Sequence, residues 1–296
     1  MSEINTTVSW KDYLELTKPK VVVLLLVTAI VGMFMSTPGM VPLDILIVAT
    51  VGIGFASGGA AVVNHVVDQK IDAIMARTQK RPIATGKISD KQAIIFSAIL
   101  SISSLLTLYF YINPLTAFLT VFGLVGYAFV YTMYLKRATP QNIVIGGLSG
   151  AIPPLLGWTS VTGGTGEIHP HALLLVLIVF VWTPPHFWAL AIFRRDEYAK
   201  ANIPMLPVTH GIEFTKTAII LYTVLLIFAS LLPYITRMSG LIYGVSASVL
   251  GLVFLGYAVK LKLSQERKVA MDTFRYSINY LFLIFIALLV DHYYRF

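Results

Sequence analysis

Nine apolar segments, each roughly 17–25 residues long, recur along this chain near 20–37, 43–67, 92–111, 114–134, 141–161, 172–193, 217–236, 241–260 and 275–293. That is the length a helix needs to cross a bilayer, and lipid leaves few other options. A spanning backbone must satisfy its own hydrogen bonds, so only helices and closed barrels survive there. Apolar runs of this length exclude barrel strands, which are shorter and alternate. The chain is therefore expected to be all-α, a polytopic membrane protein whose nine transmembrane helices form one bundle around a central cavity. Residues 1–296 read as a single integral-membrane domain. The composition agrees: 57% of residues are hydrophobic and only 12% charged, with a mean hydropathy of +0.79.

Charge distribution sets the expected orientation. Counted over alternate connections, twenty of the 22 Lys and Arg residues fall on one side, and only Arg237 and Arg295 on the other. Eleven of the 14 acidic residues share the basic side. The positive-inside rule makes that side cytoplasmic, with the N-terminus and the long loops there. The net charge of +8 is thus an orientation signal, and no nucleic-acid partner is expected. With no cysteine, disulfides, thiolate metal sites and covalent c-type heme attachment are excluded. The first apolar stretch follows Lys11, Lys18 and Lys20, and no small-residue cleavage site ends it, so it reads as a retained span.

The chemistry concentrates in two loops on the basic side. Asn64, Asp68 and Asp72 stand four residues apart at the end of the second span, so on a continuing helix they share one face, with both carboxylates near water. Hard oxygen ligands so arranged suit Mg²⁺ held against a phosphate. Arg77, Lys80 and Arg81 follow and can neutralise the phosphate. A positive-inside loop would account for the basic residues alone, but not for the carboxylates in register. The second loop reads Arg194-Arg195-Asp196-Glu197-Tyr198-Ala199-Lys200. It is either an ordinary charged helix end or a second Mg²⁺ holder, and adjacent Asp196 and Glu197 would not both face the site. Two Mg²⁺ ions bridging a diphosphate would stabilise the departing oxygen, with Lys and Arg supplying further donors. Tyr127, Tyr131 and Tyr134 recur at helical spacing on the fourth span, ahead of Lys136-Arg137. They suit either packing or the shielding of an allylic cation.

These motifs resemble the intramembrane prenyltransferases of the UbiA type. Two further segments, Trp182-Thr183-Pro184-Pro185-His186-Phe187-Trp188-Ala189-Leu190 and Asn202-Ile203-Pro204-Met205-Leu206-Pro207-Val208, are similar to the heme-farnesylating branch, as are Thr17-Lys18-Pro19-Lys20 and Lys136 to Asn142. The resemblance runs from about residue 10 to the last span. It implies transfer of farnesyl from farnesyl diphosphate to a vinyl group of protoheme IX (heme B), giving heme O for terminal oxidases. It also implies residence in a bacterial cell inner membrane and contact with heme A synthase or terminal oxidase assembly. On this pattern Asn64, Asp68 and Asp72 are catalytic and hold Mg²⁺. Arg77, Lys80, Arg81, Lys136, Arg137 and Lys200 would bind diphosphate, and Asp196 or Glu197 a second metal. Quinone-directed relatives carry a second aspartate pair four residues apart, whereas Asp196 is followed at that spacing by Lys200.

His186, with Trp182 and Trp188, is the expected heme contact. An imidazole within a span is costly in lipid, so it either faces the porphyrin, as a contact or as an iron ligand, or is a hydrogen-bonded packing group at the proline kink. His65 is an alternative contact, while His169, His171 and His292 fall near the outer side. Two rival readings stand beside this one. A prenyltransferase for an aromatic quinone precursor would share the diphosphate end. A transporter would place its polar residues at the midplane, and here they cluster at one face.

Overall fold

The computed structural model describes residues 8–76 and 78–294, and every regular element among them is helical. A short helix α1 (Trp10–Leu16) meets α2 (Pro19–Met35) at a 56° bend. Lys18 makes the corner with φ of 51°, in the left-handed region, and Pro19 starts α2 with a ring whose missing N–H is no loss in a first turn. Then follow α3 (Leu43–Val67), α4 (Gln69–Ile74) and α5 (Asp90–Thr107), the last running on as a π-helical turn to Ile112. Next come α6 (Pro114–Val125), which continues as a ten-residue π-helical stretch Gly126–Leu135, and α7 (Lys136–Ala138). The fifth span is two pieces, α8 (Asn142–Ala151) and α9 (Pro153–Thr162), broken at Ile152-Pro153. The remainder comprises α10 (Pro170–Phe193), α11 (Arg195–Lys200), α12 (Leu206–Thr209), α13 (Ile212–Ile235), α14 (Leu241–Leu263) and α15 (Arg267–Tyr293). Among the described residues eight helices are long and apolar enough to cross a bilayer alone, and counting the bent pair α1–α2 as one span gives nine.

Local chemistry sets several starts. Ser89 and Gln92 cap α5 reciprocally, Ser89 Oγ accepting from the Gln92 amide at 3.3 Å and Gln92 Oε1 accepting from the Ser89 amide at 3.0 Å. Asn113 caps α6 by accepting the Thr116 amide at 2.8 Å, with Pro114 behind it. The last helix begins at Arg267, not near residue 275. Arg267, Lys268, Asp272 and Arg275 carry it beyond the apolar zone, and a search for lipid-compatible length stops at those charges.

Small residues set the helix contacts, as expected where lipid removes the hydrophobic drive between helices. Ser97 Oγ donates to the Gly59 carbonyl at 2.9 Å and Ser104 Oγ to Gly52 at 2.7 Å, tying α5 to α3. The α2–α9 contact is tighter still, with backbone on backbone at Gly32–Pro154 and Gly157–Ala29. On the other flank α10, α13, α14 and α15 enclose Tyr243, Phe254, Tyr280 and Phe285, all fully buried. Their polar ends are satisfied: Tyr243 Oη donates to the Ser230 carbonyl at 2.6 Å, and Tyr280 Oη lies 2.7 Å from Ser230 Oγ. Buried Asp291, on α15, accepts the Gly240 and Tyr243 amides at 2.5 and 3.1 Å and so caps α14 from a neighbouring helix.

A second apolar cluster organises the charged side of the bundle. Met75 from the first loop packs with Tyr198, Ile203, Met205 and Leu206 from the second, over Trp188, Ile219, Leu261 and Ala270. The two loops therefore share one foundation.

Candidate active site

The site begins where α3 runs out. Asp68 sits at the α3–α4 junction with φ −88° and ψ 1°, yet the hydrogen-bond register carries through it. The Asp68 amide donates to Asn64 O at 3.0 Å and the Asp72 amide to Asp68 O at 2.7 Å. Asn64, Asp68 and Asp72 thus keep their four-residue alignment across the break. They are not near water: their exposures are 5, 1 and 4%. The expectation of solvated carboxylates is corrected, and the reason is a ring of cations that arrives from distant parts of the chain.

Lys136 Nζ lies 2.5 Å from Asp68 Oδ2, and Arg81 lies 2.6 Å from Asp72 Oδ2. Lys18 Nζ donates to Asn64 Oδ1, while Asn64 Nδ2 donates to Asp68 Oδ2 at 2.8 Å. Buried ion pairs are weak contributors to stability because desolvation offsets attraction. Two of them side by side on one helical face, the Asp68 pair extended to Lys18 through the Asn64 side-chain amide, are the kind of arrangement that perturbs titration at functional sites. Asp68 Oδ1 is buried and has no hydrogen-bond partner among the described residues. An acceptor that carries charge and finds no donor fits a cation ligand.

The other basic residues separate by role. Arg137 is exposed and donates to the Val67 carbonyl at 3.1 Å, closing the C-terminal end of α3. Lys80 and Lys200 are exposed, and among the described residues neither forms an ion pair with the carboxylates. Arg77 lies outside the described residues.

In the second loop Asp196 and Glu197 have different surroundings. Asp196 is 49% exposed at its side chain and pairs with Arg267 at 2.6 Å and Arg195 at 3.7 Å. The Arg267 hydrogen bond holds its carboxyl below the ordinary aspartate value. Glu197 takes a 2.7 Å contact from Arg194 on Oε1, and its Oε2 is buried with no hydrogen-bond partner among the described residues. Glu197, not Asp196, therefore repeats the feature seen at Asp68. Among the described residues no three acidic or histidine side chains form a ready cage for a metal. That suits Mg²⁺, which keeps waters and substrate phosphate oxygens in its shell.

An aromatic wall adjoins the carboxylates. Tyr127 and Tyr131 have ring centroids 5.6 Å apart. Thr132 Oγ1 donates back to the Tyr127 carbonyl at 2.8 Å and lies 3.4 Å from Asn64 Nδ2. Tyr131 fits only because residue 146 is glycine: a Cβ there would come 2.1 Å from its ring. Tyr134 does not join them and is 68% exposed. The π-helical stretch widens the turn, so α-helical spacing no longer predicts which tyrosines align.

His186 is a sandwiched ring. Trp182 stacks on it at 4.2 Å and Phe274 at 4.6 Å. Its Nδ1 lies 2.6 Å from Ser277 Oγ, and Trp182 Nε1 donates to the Ser277 carbonyl at 2.7 Å. Both faces are covered, so a porphyrin cannot stack on this imidazole, and only the Nε2 edge is left to meet one. The expected trio separates. Trp188 packs in the other cluster, edge-on to Tyr222 at 5.2 Å, and is buried at 2% exposure. The sequence reading missed Lys18 and Ser277 as site partners. Lys18 entered only among the basic residues before the first span and in the Thr17–Lys20 resemblance, and the left-handed corner that places it beside Asn64 has no signature of its own.

Comparison with known proteins gives the family and the fold. The profile of the UbiA prenyltransferase family matches residues 25–288. The chain is 64% identical over 286 residues to the protoheme IX farnesyltransferase of Alcanivorax borkumensis, covering 96% of this chain and 93% of that one. It is 59% identical to the same-named protein of Legionella pneumophila, covering 97% of each. In three dimensions it is similar to a digeranylgeranylglyceryl phosphate synthase, with a TM-score of 0.78, 21% identity and coverage of 96 and 98%. It also resembles a UbiA homolog from Archaeoglobus fulgidus bound to GPP and Mg²⁺, with a TM-score of 0.63, 17% identity and coverage of 94 and 100%. The long match to the profile and the high identity over nearly the whole length lead to one conclusion: the chain belongs to the UbiA prenyltransferase family.

Proposed function

We propose that this protein is a Mg²⁺-dependent prenyltransferase that moves the farnesyl group of farnesyl diphosphate onto a vinyl group of heme B, forming heme O. The observation that carries the reading is Asp68, buried with one carboxylate oxygen unpartnered, in a face shared with Asn64 and Asp72 and ringed by Lys18, Lys136 and Arg81. The identity to named protoheme IX farnesyltransferases selects heme over a quinone precursor. The polar groups gather at one end of the helices, which disfavours a transport path through the midplane. We place that end on the cytoplasmic side of a bacterial inner membrane, following the basic loops.

Asn64, Asp68 and Asp72 are the residues that would hold Mg²⁺, with Glu197 as the acid from the second loop. When bound, the metal supplies Lewis-acid neutralisation of the diphosphate. The chain's own residues do the rest. Lys136 and Arg81 exchange their carboxylate partners for phosphate oxygens as substrate enters, and Lys18 does the same from the α1–α2 corner. The farnesyl C1–oxygen bond breaks with its electron pair leaving on the diphosphate. Tyr127 and Tyr131 present ring faces to the allylic cation and exclude water from it. The vinyl group then attacks C1, and water adds at the porphyrin side with loss of a proton.

Two outcomes check the assignments. Glu197→Gln should lower turnover about 10²-fold, whereas Asp196→Asn should stay within about threefold of the parent. Equal losses in steady-state assays would remove the preference for Glu197. His186→Phe keeps the sandwich between Trp182 and Phe274 but removes Nε2. It should raise the KM for heme about tenfold and leave that for farnesyl diphosphate unchanged. An unaltered heme KM would leave His186 as a packing residue alone.

A further inference from the structure

The hairpin between α13 and α14, on the side opposite the charged loops, forms a pocket of about 630 Å³ lined by Tyr234, Arg237, Ser239, Leu241 and Asp291. Arg237 and Arg295 are the two basic residues which the nine-span reading leaves on that side. Arg237 is exposed, in the left-handed region at φ 59°, and its amide donates to the Tyr234 carbonyl at 3.1 Å. Ser239 lines the same pocket and is 4% exposed, and its buried hydroxyl has no hydrogen-bond partner among the described residues. Asp291 already takes the Gly240 and Tyr243 amides, so the helix N-terminus itself is occupied. With both Asp291 oxygens held by those amides, the side-chain donors that line the pocket among the described residues are the Arg237 guanidinium and the hydroxyls of Ser239, Tyr234 and Tyr294, a set that suits a phosphate oxygen.

The pocket does not end at the polar groups. Tyr234 and Leu241 also line an adjoining apolar groove with Leu231, Gly244, Val245, Ser248 and Val249. The groove follows the seam between α13 and α14 into the depth that lipid tails occupy. Tyr234 forms its wall by lying over Gly244, where a Cβ would meet the ring at 2.9 Å. A free phosphate has no use for such a groove, and a hydrocarbon alone has none for Arg237. We propose that the hairpin is a binding site for one glycerophospholipid of the leaflet opposite the charged loops, its phosphate on Arg237 and Ser239 and one acyl chain between α13 and α14.

The test uses the full chain, delipidated in detergent and titrated under native mass spectrometry with dioctanoyl phosphatidylglycerol, dioctanoylglycerol or inorganic phosphate. Arg237→Asn removes the charge while keeping a residue type that tolerates a left-handed backbone. The parent protein should bind one phospholipid about tenfold more tightly than Arg237→Asn does, and about tenfold more tightly than it binds the diacylglycerol. Ser248→Phe, which fills the groove and leaves the headgroup pocket intact, should weaken the phospholipid similarly. Equal affinity in parent and Arg237→Asn would overturn the site. So would full displacement of the lipid by inorganic phosphate, which would make it an ion site. Should Arg237→Asn fail to fold, the phospholipid-to-diacylglycerol ratio in the parent and the Ser248→Phe result still decide the question.

Discussion

Asp68→Asn should lower farnesyl transfer about 10³-fold, more than any other single substitution in the site. Asp68 is the middle member of the buried face, 1% exposed, and its Oδ1 is the unpartnered oxygen available to a metal. Asparagine keeps the volume but neither the charge nor the metal affinity. The substitution also strands Lys136, whose ammonium now rests 2.5 Å from the carboxylate. An unpaired buried cation destabilises by about 3–5 kcal/mol, so the single variant combines a folding loss with a catalytic one. The double variant Asp68→Asn, Lys136→Met separates the two effects, because it removes both charges together. It should regain thermal stability in detergent and remain as inactive as the single variant. Recovery of turnover along with stability would show that Asp68 serves the fold rather than the reaction.

Gly157→Ala should be the most damaging small substitution for stability, at about 3 kcal/mol or more. A Cβ at residue 157 would stand 1.8 Å from the Ala29 carbonyl oxygen, and one at Gly32 would stand 2.2 Å from that of Pro154. These contacts are backbone on both sides, so no rotamer change relieves them, and α2 and α9 must separate. Gly150→Ala is the matched control within the same span, since nothing lies within 4 Å of its added carbon. The melting temperature in detergent should fall strongly for Gly157→Ala and stay unchanged or rise for Gly150→Ala. Equal melting temperatures would mean that α2 and α9 are not packed this closely.

The spans were legible because lipid imposes a length and punishes charge, and those are sequence properties. α15 began earlier than its apolar core because a helix need not stop at the membrane surface, and Arg267 to Arg275 continue it into water. The face formed by Asn64, Asp68 and Asp72 was legible from spacing. Its burial was not, because the groups that allow it come from far along the chain: Lys136 is 68 residues from Asp68, and Lys18 is 46 from Asn64. His186 shows the same limit. Its ring faces are covered by Trp182, one turn away, and by Phe274, while Ser277 stands 91 residues off. Tyr134 parted from Tyr127 and Tyr131 because a π-helical stretch leaves no mark in side-chain periodicity. The acid pair of the second loop was ambiguous for a related reason. Arg267, which occupies Asp196, lies 71 residues away. The choice of heme as acceptor rested on motif resemblance, since no spacing rule encodes a porphyrin.

The most direct test of the central claim is a competition between acceptors. Purified protein is incubated with farnesyl diphosphate and Mg²⁺ in the presence of heme B and 4-hydroxybenzoate together, and the products are separated by mass. Heme O should form, with release of diphosphate, and its formation should stop when the metal is chelated. Prenylation of the aromatic acid with heme B left unchanged would contradict the assignment.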